Sequence, residues 1–377
     1  MAKIDDSVKK KVPELRFKGF TDDWEQRKLG AEVINIGTGR SSFTSGVEKS
    51  NETPFPVLGS TSIISYDSEF DHLGDFVLTA RVGANAGNLY KYAGNVKISD
   101  NTVYIQSNNL NFIFYLLTKF DVKKLSFGTG QPLIKASELK NLSLHFPIDD
   151  EQKKIGSFFK QLDDTIALHQ RKLDLLKEQK KGYLQKMFPK NGEKVPELRF
   201  AGFADDWEER KLGEISKTTI GEFVIKTKQS DESPYPVYNG GRSYTGKYDE
   251  YNNDGPKIVI SARGANAGFV NYVSGRYWAG NSCYSVSVTK EDEFSIGYLY
   301  QFIKYNQVLF TAYQQAANIP SVSKSDVEKF SIKYPTVLEQ KKIESFFKQL
   351  DNTIALHQRK LDLLKEQKKG FLQKMFV

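Results

Sequence analysis

Two near-identical copies of one frame surround two unlike inserts in this chain, and this duplication constrains the fold more than any other feature. Residues 12–30 return as residues 195–213, with 16 of 19 positions identical. Residues 152–188 return as residues 340–376, with 34 of 37 identical. The unlike inserts are module 1 (residues 31–147) and module 2 (residues 214–335). The sequence therefore predicts one structural plan built twice, with a different module in each half.

Composition narrows the class of protein further. The 377 residues include 26 Phe, 19 Tyr and 3 Trp, which favours folded domains over disorder. A single cysteine, Cys283, excludes an internal disulfide and a cysteine-rich zinc site, and four histidines offer little for metal binding or catalysis. The sequence has no apolar run of about 20 residues, and its polar N-terminus lacks the features of a signal peptide. We therefore expect a metal-free protein of the cytoplasm with no membrane contact.

Each 37-residue repeat carries the heptad pattern of a coiled-coil helix. A helix of this length measures about 55 Å at about 1.5 Å per residue. Its apolar stripe needs a partner, and two copies related by a perpendicular twofold axis run antiparallel. The alternative is that each helix packs only on its own module. The predicted seam residues are Ile155, Phe159, Leu162, Ile166, Leu173 and Leu176 in the first copy and Ile343, Phe347, Leu350, Ile354, Leu361 and Leu364 in the second.

Acidic residues mark the starts of both predicted helices. Thr336 and Glu339 have the spacing of a capping box, and Asp149 or Asp150 is placed to cap the first copy. The run 149–153 also has the composition of an acidic nuclease site that binds Mg²⁺. Because the second copy lacks both aspartates, we interpret these acids as helix caps.

Both modules show signals for strands and helices. Each contains a predicted buried strand (76–79 and 257–260) and a predicted helix (111–117 and 296–303). The predicted closing strands are marked by Leu139, Leu142 and Leu144 in module 1 and by Val327, Phe330 and Ile332 in module 2. The predicted fold class is α+β: two mixed α/β modules joined by two long helices that form an antiparallel coiled coil, with a pseudo-twofold internal repeat.

Positive charge is concentrated on the repeated helices. The chain has 54 Lys and Arg against 46 Asp and Glu, a net charge of +8. Each helical repeat holds nine basic and four acidic residues, so the two repeats carry +10 and the remainder carries −2. The modules therefore lack a bulk positive field, and any affinity for DNA depends on local placement of basic side chains. The helix charge is either a solvated face or lies near a phosphate backbone.

A glycine-containing motif follows a predicted strand in each module. Residues 80–87 have the sequence ARVGANAG, and residues 262–268 have the sequence ARGANAG. Arginine pairs with guanine or holds a phosphate, and asparagine pairs with adenine. The alternative is a tight turn whose glycines supply positive φ. The predicted DNA contacts of this motif are Arg81, Asn85, Arg263 and Asn266.

Two further motif pairs supply candidate contacts. Glutamine-containing turns at 128–132 and 314–320 precede the closing strands, and their side chains suit either adenine recognition or a surface turn. The proline-flanked aromatic segments at 54–60 and 234–240 are interpreted as strand entries. The predicted DNA contacts in and just beyond these segments are Thr129, Gln131, Arg242, Gln314, Gln315 and Asn318.

No catalytic motif accompanies these candidates. The sequence lacks the P-loop and dinucleotide-binding patterns, and it has no Pro-Pro pair, which excludes the Asn/Asp-Pro-Pro-aromatic motif of amino-methyltransferases. We therefore predict no catalytic residue and no enzyme activity. Two classes of binding protein remain. One is a DNA-sequence reader, and the other is a scaffold that assembles protein partners while its modules bind peptides or sugars.

The motifs together resemble the specificity (S) subunit of type I restriction-modification enzymes. VPELRF, DDWE and RKLG in the frame, GANAG in the modules and SFFKQLD and TIALHQRKLDLLKEQKK in the helices all occur twice. The resemblance covers essentially the whole chain and is most specific in the helices, which resemble the family's spacer regions. The implied domains are target recognition domain 1 (1–150), spacer helix 1 (151–188), a linker (189–194), target recognition domain 2 (195–335) and spacer helix 2 (336–377).

This resemblance implies a non-catalytic subunit that recognises double-stranded DNA. Each recognition domain would read one half of a split, asymmetric target, and the antiparallel spacer would dock two methyltransferase (M) subunits. S-adenosylmethionine would bind to the M subunits, and restriction (R) subunits would use ATP and Mg²⁺, so this chain itself would hold no cofactor. Unlike modules in a repeated frame suit that role, because phosphate contacts position a reader and base contacts specify its half-site.

Overall fold

A computed structural model of the chain consists of two compact units. Unit 1 contains Met1–Arg171 together with Arg359–Val377, and unit 2 contains Lys172–Gln358. Each unit therefore combines one module with one frame segment and with parts of both long helices. The structure describes residues 12–126, 132–190, 192–312 and 320–377.

A six-stranded sheet forms the centre of unit 1. The strands of unit 1 are β1 (Glu25–Lys28), β2 (Asn35–Thr38), β3 (Phe55–Leu58), β4 (Ile63–Asp67), β5 (His72–Ala80), β6 (Leu89–Ile98), β7 (Thr102–Gln106) and β8 (Ser143–Phe146). The order in the sheet is β2-β7-β5-β6-β3-β4. Strands β3 and β6 are parallel and every other neighbouring pair is antiparallel. Strands β1 and β8 form a separate antiparallel pair, so the first frame segment is hydrogen-bonded to the end of module 1.

Short helices cover this sheet. They are α1 (Leu29–Glu32), α2 (Leu110–Phe120) and α3 (Ala136–Asn141), with a 3-10 helix at Val122–Ser126. Helix α2 buries Phe112, Tyr115 and Leu116, whose three- and four-residue spacing places them on one face. That face joins the core that contains Trp24 and Phe376. The core of unit 1 thus includes residues from the module, the first frame segment and the last residues of the chain.

Unit 2 has a related but divided arrangement of strands. Its strands are β9 (Glu208–Lys211), β10 (Ser216–Ile220), β11 (Tyr235–Tyr238), β12 (Gly246–Tyr248), β13 (Lys257–Ser261), β14 (Val270–Val273), β15 (Trp278–Ala279), β16 (Cys283–Val288) and β17 (Ser331–Tyr334). They form a four-stranded sheet in the order β10-β16-β13-β14 and a three-stranded sheet in the order β12-β11-β15. Strands β9 and β17 pair as β1 and β8 do in unit 1. The repeated frame is therefore built identically around two different modules.

The short helices of unit 2 are α5 (Leu212–Ile215), α6 (Ile296–Tyr305), α7 (Gln307–Ala312) and α8 (Lys324–Glu328), with a 3-10 helix at Lys226–Lys228. Helix α6 begins at an N-cap, Ser295, whose hydroxyl accepts a bond from Tyr298 N. Its buried face joins Trp207, Phe188 and Phe347 in one core. Trp207 and Phe188 correspond to Trp24 and Phe376 of unit 1, so the two cores have the same plan.

The two repeated segments form single long helices, α4 (Asp149–Met187) and α9 (Val337–Lys374). In unit 1, Lys368 pairs with Asp163 at 2.5 Å and Phe371 contacts Phe158. As α4 advances from residue 158 to residue 163, α9 therefore recedes from residue 371 to residue 368. The helices run antiparallel in this unit, which confirms the predicted direction.

Unit 2 has the same antiparallel pairing. Lys180 pairs with Asp351 at 2.5 Å, and Tyr183 contacts Phe346 with ring centroids 5.0 Å apart. All twelve predicted seam residues are buried or half-buried. By contrast, Leu168 and Leu356, which the heptad pattern leaves off the seam, are 63% and 66% exposed. The seven-residue period thus separates the coiled-coil seam from the outer face.

Two local expectations differ from the structure. Leu139 lies in α3 and Val327 in α8, and the closing strands β8 and β17 each begin four residues later, because a short helix precedes the extended segment in both units. Glu339 is not part of a capping box. Its carboxylate is instead bound by Arg199 through two hydrogen bonds of 2.8 Å.

Candidate nucleic-acid interface

The GANAG segments form the same tight turn in both units. The first and last glycines adopt positive φ, with +79° and +87° at Gly83 and Gly87 and +88° and +83° at Gly264 and Gly268. A 2.9 Å hydrogen bond closes each turn, from the amide three residues later to the carbonyl of the first glycine. Glycine is required because this backbone region is unfavourable for other residues. The turn leaves Asn85 exposed, so the structural reading of the motif is correct and contact with DNA stays a prediction.

Backbone hydrogen bonds establish which residues of the two turns are equivalent. Arg81 N donates to Asn101 O at 2.9 Å, and the Arg81 carbonyl accepts a second bond from the closing segment at 2.8 Å. In unit 2 the corresponding bonds are made by Ala262, at 2.8 and 2.9 Å. The equivalent of Arg81 is therefore Ala262, and Arg263 occupies the position of Val82.

This equivalence corrects the pairing of the two arginines in the sequence motif. The arginine lies two residues before the first glycine in the first copy and one residue before it in the second. Neighbouring residues of an extended chain point to opposite sides, and the two arginines accordingly differ. Arg81 is half-buried and donates from Nη1 to Asp100 O at 3.4 Å, whereas Arg263 is exposed. The loops of the two units therefore present different chemistry from a common backbone.

The turn is held next to the end of the glutamine-containing segment in each unit. Gly83 N donates to Pro132 O at 3.2 Å, and Gly264 N donates to Pro320 O at 2.9 Å. The residue before each of these glycines pairs with the closing segment as an isolated antiparallel bridge. The structure thus places the last residue of the second motif, Pro132 or Pro320, next to the GANAG turn in each unit. The candidate contacts that lie outside the described residues are Thr129, Gln131, Gln314, Gln315 and Asn318.

A close backbone approach fixes the adjoining strand end. A Cβ at Gly39, after β2, would lie 2.2 Å from Ile98 O, and a Cβ at Gly221, after β10, would lie 2.2 Å from Ala279 O. No side chain fits at either position. Each glycine therefore lets the end of its strand, β2 or β10, pack directly on a neighbouring backbone segment beside the loop cluster.

In unit 2 the third motif joins the same cluster. Strand β11 leads into a turn at 239–245, and its residue Arg242 donates from Nε to Asn266 Oδ1 at 3.2 Å. Asn266 Nδ2 donates to Gly240 O at 3.4 Å, and Ser261 Oγ donates to Gly241 O at 3.0 Å. Two hydrogen bonds therefore connect the Arg242 turn to the GANAG turn, and a third connects it to the end of β13. The interpretation of this motif as a strand entry is confirmed by β3 and β11.

The corresponding cluster of unit 1 is arranged differently. The turn after β3 is short, with Gly59 N donating to Ser62 O at 2.9 Å and Ser60 Oγ donating to Asn101 O at 3.3 Å. Asn85 Oδ1 accepts from Asn88 Nδ2 at 3.1 Å rather than from an arginine. The turn after β3 and the GANAG turn of unit 1 thus expose amides and hydroxyls, whereas the corresponding turns of unit 2 expose Arg242 and Arg263.

Lys304 supports the exit of the turn in unit 2. Its Nζ donates to Val270 O at 2.7 Å and to Gln307 Oε1 at 2.8 Å, and it lies 3.7 Å from the ring centre of Phe269. Burial lowers the pKa of Lys304 to about 8. An ammonium held so close to the loop by three neighbours fixes the start of β14.

The sequence did not reveal a repeated ion pair beneath each module. Arg16 binds Glu151 through bonds of 2.7 and 2.8 Å, and Arg199 binds Glu339 through two bonds of 2.8 Å. Both glutamates are fully buried. The pair attaches the VPELRF segment to the start of a long helix in each unit. The partners are 135 and 140 residues apart in sequence, so spacing could not reveal the pair. The available sequence signal was that both arginines and both glutamates are identical between the two copies.

The described residues form neither a metal site nor a membrane-spanning helix. No group of three or more His, Cys, Asp or Glu side chains among them is placed to hold a metal ion. No helix that they form is long and apolar enough to cross a membrane. Cys283 is buried, and burial raises the pKa of its thiol to about 12, which keeps it protonated and unreactive.

The fold and the loop clusters define a protein with two binding modules of common plan and different surface chemistry. A family model described as the type I restriction modification DNA specificity domain matches residues 21–178 and again residues 204–366. The chain belongs to this family and carries two copies of its domain. Its class is that of the DNA-target-recognising specificity subunit, and not that of a catalytic component.

Individual relatives support the same class. The putative type I restriction enzyme MjaX specificity subunit of Methanocaldococcus jannaschii is 25% identical over 283 residues, or 69% of this chain and 66% of that protein. The putative type I specificity subunit S.MgeORF438P of Mycoplasma genitalium is 21% identical over 272 residues, or 71% of each. The alignments thus span about two thirds of each relative's length.

Solved structures show the same fold. The type I restriction-modification S subunit from M. genitalium aligns with a TM-score of 0.76 at 17% identity, covering 97% of this chain and 99% of that one. A structure described as the basis of complex assembly and conformational transition of the type I R-M system aligns with a TM-score of 0.51 at 17% identity. It covers 95% of this chain and 98% of that one. At these identities the similarity establishes the architecture alone.

Proposed function

We propose that this chain reads a bipartite, asymmetric target in double-stranded DNA, with each module recognising one half. The observation that carries the proposal is the difference between the two loop clusters on a common backbone. Unit 2 presents Arg242 and Arg263, whereas unit 1 presents Asn85 and a half-buried Arg81. Base edges are distinguished by such arginine and amide donors, so different clusters would specify different half-sites.

We also propose that the paired helices dock two M subunits, and that R subunits join that complex. S-adenosylmethionine, ATP and Mg²⁺ would belong to those partners, in the cytoplasm, and this chain would contribute no catalytic group. Support for docking comes from exposed leucines at equivalent positions of both repeats, Leu168 and Leu363 in unit 1 and Leu175 and Leu356 in unit 2. A surface present twice suits a partner that is present twice.

Module exchange tests the reading of split DNA. Residues 31–147 are replaced by the corresponding insert of another family member, and methylated adenines are mapped in a host that carries the complex. We expect one half-site to change and the other to stay the same. A change in both half-sites, or in neither, would contradict the assignment of one half-site to each module.

Salt dependence tests DNA binding against the scaffold alternative. In a gel-shift assay with the M subunits present, affinity for the target should fall steeply between 50 and 200 mM salt, because phosphate contacts release counterions. No shift of the target DNA even at low salt would favour a scaffold whose modules bind peptides or sugars.

A further inference from the structure

The contacts of Arg242 and Asn266 give these two residues different roles. Asn266 lies half-buried in the GANAG turn, and both ends of its amide are occupied: Oδ1 by Arg242 and Nδ2 by the carbonyl of Gly240. A bidentate contact with adenine needs a free amide oxygen and a free amide N–H on the same side chain. Asn266 keeps one lone pair and one N–H beyond these two bonds, but both bonds hold its amide against the Arg242 turn, so the contact that the structure shows is the support of Arg242.

Arg242, by contrast, keeps most of its hydrogen-bond donors free for a ligand. Its side chain is exposed, and only Nε is engaged by Asn266. A guanidinium carries five N–H donors in a rigid plane, so the four Nη hydrogens remain without partners among the described residues. The acceptor that fixes Nε is a neutral amide, so the full positive charge of Arg242 remains available to a ligand.

The backbone turn that carries Arg242 is fixed by its contacts with the neighbouring loop. Gly240 adopts a φ of +79°, and a Cβ built there would lie 3.0 Å from Arg263 O, so the Arg242 turn packs directly on the neighbouring loop. Ser261, which is 2% exposed, donates to the next carbonyl of the turn, that of Gly241. A side chain held in one orientation before binding loses less freedom on contact, which favours a specific partner over a diffuse one.

We infer that Arg242 reads a guanine through its O6 and N7 atoms in the major groove, and that Asn266 is a positioning residue that orients Arg242. The inference rests on the proposed function of this chain as a DNA reader. A planar fork with two parallel N–H donors matches the guanine edge, which offers two adjacent acceptors. In unit 1 the residues after β3 include no arginine, and Asn85 faces Asn88, so that turn has no counterpart of the Arg242–Asn266 pair and the guanine read by Arg242 belongs to the half-site of unit 2.

The experiment compares substitutions at Arg242 and Asn266 in the full chain, assembled with its M subunits. Methylated adenines are mapped genome-wide and the frequency of each base at each target position is compared. Arg242→Ala should reduce the preference for one guanine in one half-site by about 10- to 100-fold and leave the other half-site unchanged. Arg242→Lys should give a similar loss, because an ammonium keeps the charge but not the fork.

Asn266 substitutions separate positioning from direct reading. Asn266→Asp retains an oxygen that accepts from Arg242 Nε, so the guanine preference should persist, whereas Asn266→Ala should weaken it. A direct adenine reader would lose its target base in both variants, because aspartate has no N–H to donate. Arg276→Ala is the matched control, since Arg276 is an exposed arginine of the same unit that pairs with Asp254 away from these loops.

The outcomes distinguish failure of this inference from failure of the proposed function. A wild-type chain that directs methylation to no bipartite sequence would overturn both. A wild-type bipartite target that Arg242→Ala leaves unchanged would overturn the inference alone. Weakening that is equal at all target positions, and that Arg242→Lys restores, would make Arg242 a phosphate contact instead. Loss of an adenine preference in Asn266→Asp would make Asn266 the reader.

Discussion

At the scale of single residues, a buried ion pair joins the VPELRF segment to the start of a long helix in each unit. The carboxylates of Glu151 and Glu339 are fully buried, and each is satisfied by a two-pronged contact with one arginine, Arg16 or Arg199. A buried carboxylate without its partner is costly, because desolvation is no longer offset. Substitution of either partner therefore carries a penalty that no neighbouring side chain relieves.

Arg199→Met should destabilise unit 2 by about 3–5 kcal/mol, because it leaves Glu339 buried without its cation. The double variant Arg199→Met/Glu339→Leu should recover most of that loss, since apolar side chains of similar volume replace the whole pair. Urea unfolding followed by tryptophan fluorescence measures both. Equal stability of the single variant and the wild type would contradict a structural role for the pair.

Lys304 provides a test that depends on pH. Its pKa is lowered to about 8 in the folded chain from 10.5, so the unfolded chain binds more protons between these values. Stability contributed at this residue therefore rises as pH increases from about 8 to about 10.5. Lys304→Met removes this proton linkage, so the difference in unfolding free energy, wild type minus variant, should rise by about 1–2 kcal/mol across that window, after allowance for solvent exposure.

Urea unfolding of both chains at pH 7.5 and pH 10 measures that difference. Other groups that titrate in this range, such as Cys283, are common to both chains and cancel. A difference that stays constant with pH would show that Lys304 keeps an ordinary pKa in the folded chain.

At the scale of secondary-structure elements, the exposed leucines of the long helices are the clearest unused surface. Leu168 and Leu363 are 63% and 52% exposed in unit 1 and occupy the same heptad position of α4 and α9. Equivalent positions of an antiparallel pair lie on one face. The exposed basic residues Arg171 and Lys360 lie within a turn of these leucines. This face suits an apolar helix of a partner that is bordered by acidic side chains.

Leu168→Ser/Leu363→Ser should reduce the number of M subunits bound per chain from two to one, because only the face in unit 1 is altered. The mass of the assembled complex measures this number. Leu73→Ser is the matched control, since Leu73 is 66% exposed but lies on strand β5. If the double variant still binds two M subunits, docking uses another surface.

The sequence predicted the long helices better than the loop contacts, because a helix seam is set by local order and loop contacts are set by the tertiary fold. A coiled-coil seam follows from the order of apolar residues along one helix, so Phe159 and Leu361 could be placed without knowledge of tertiary contacts. The register of Arg81 and Arg263 depends on hydrogen bonds to distant segments, and aligning the two copies on their arginines gave the wrong equivalence. The buried pair of Arg16 and Glu151 was hidden for a related reason, because only the tertiary fold brings these two residues together.

At the scale of the whole molecule, the frame segment of each unit is hydrogen-bonded to the C-terminal end of a long helix. Leu15 N donates to Lys374 O in unit 1, and Leu198 N donates to Lys186 O in unit 2, both at 2.8 Å. Phe376, the penultimate residue, lies in the core of unit 1. The first and last described segments of the chain are therefore parts of one folding unit. Because α4 and α9 pair in both units, lengthening one helix alone would shift that pairing.

This dependence shapes the test of the helices as a spacer. Seven residues with the same heptad pattern are inserted after Arg171 in α4 and again after Arg359 in α9. Seven residues complete two turns, so the seam stays in phase, and each helix lengthens by about 10 Å. Since base pairs rise by about 3.4 Å, we expect the gap between methylated half-sites to lengthen by about three base pairs, with both half-site sequences unchanged.

Insertion into α4 alone is the control, because it shifts the antiparallel pairing and should abolish methylation rather than change the gap. Three added base pairs also rotate one half-site about the duplex axis. The lengthened chain should therefore methylate its new target less efficiently than the wild type methylates its own. A double insertion that retains the original gap would show that the modules, and not the length of α4 and α9, determine the distance between half-sites.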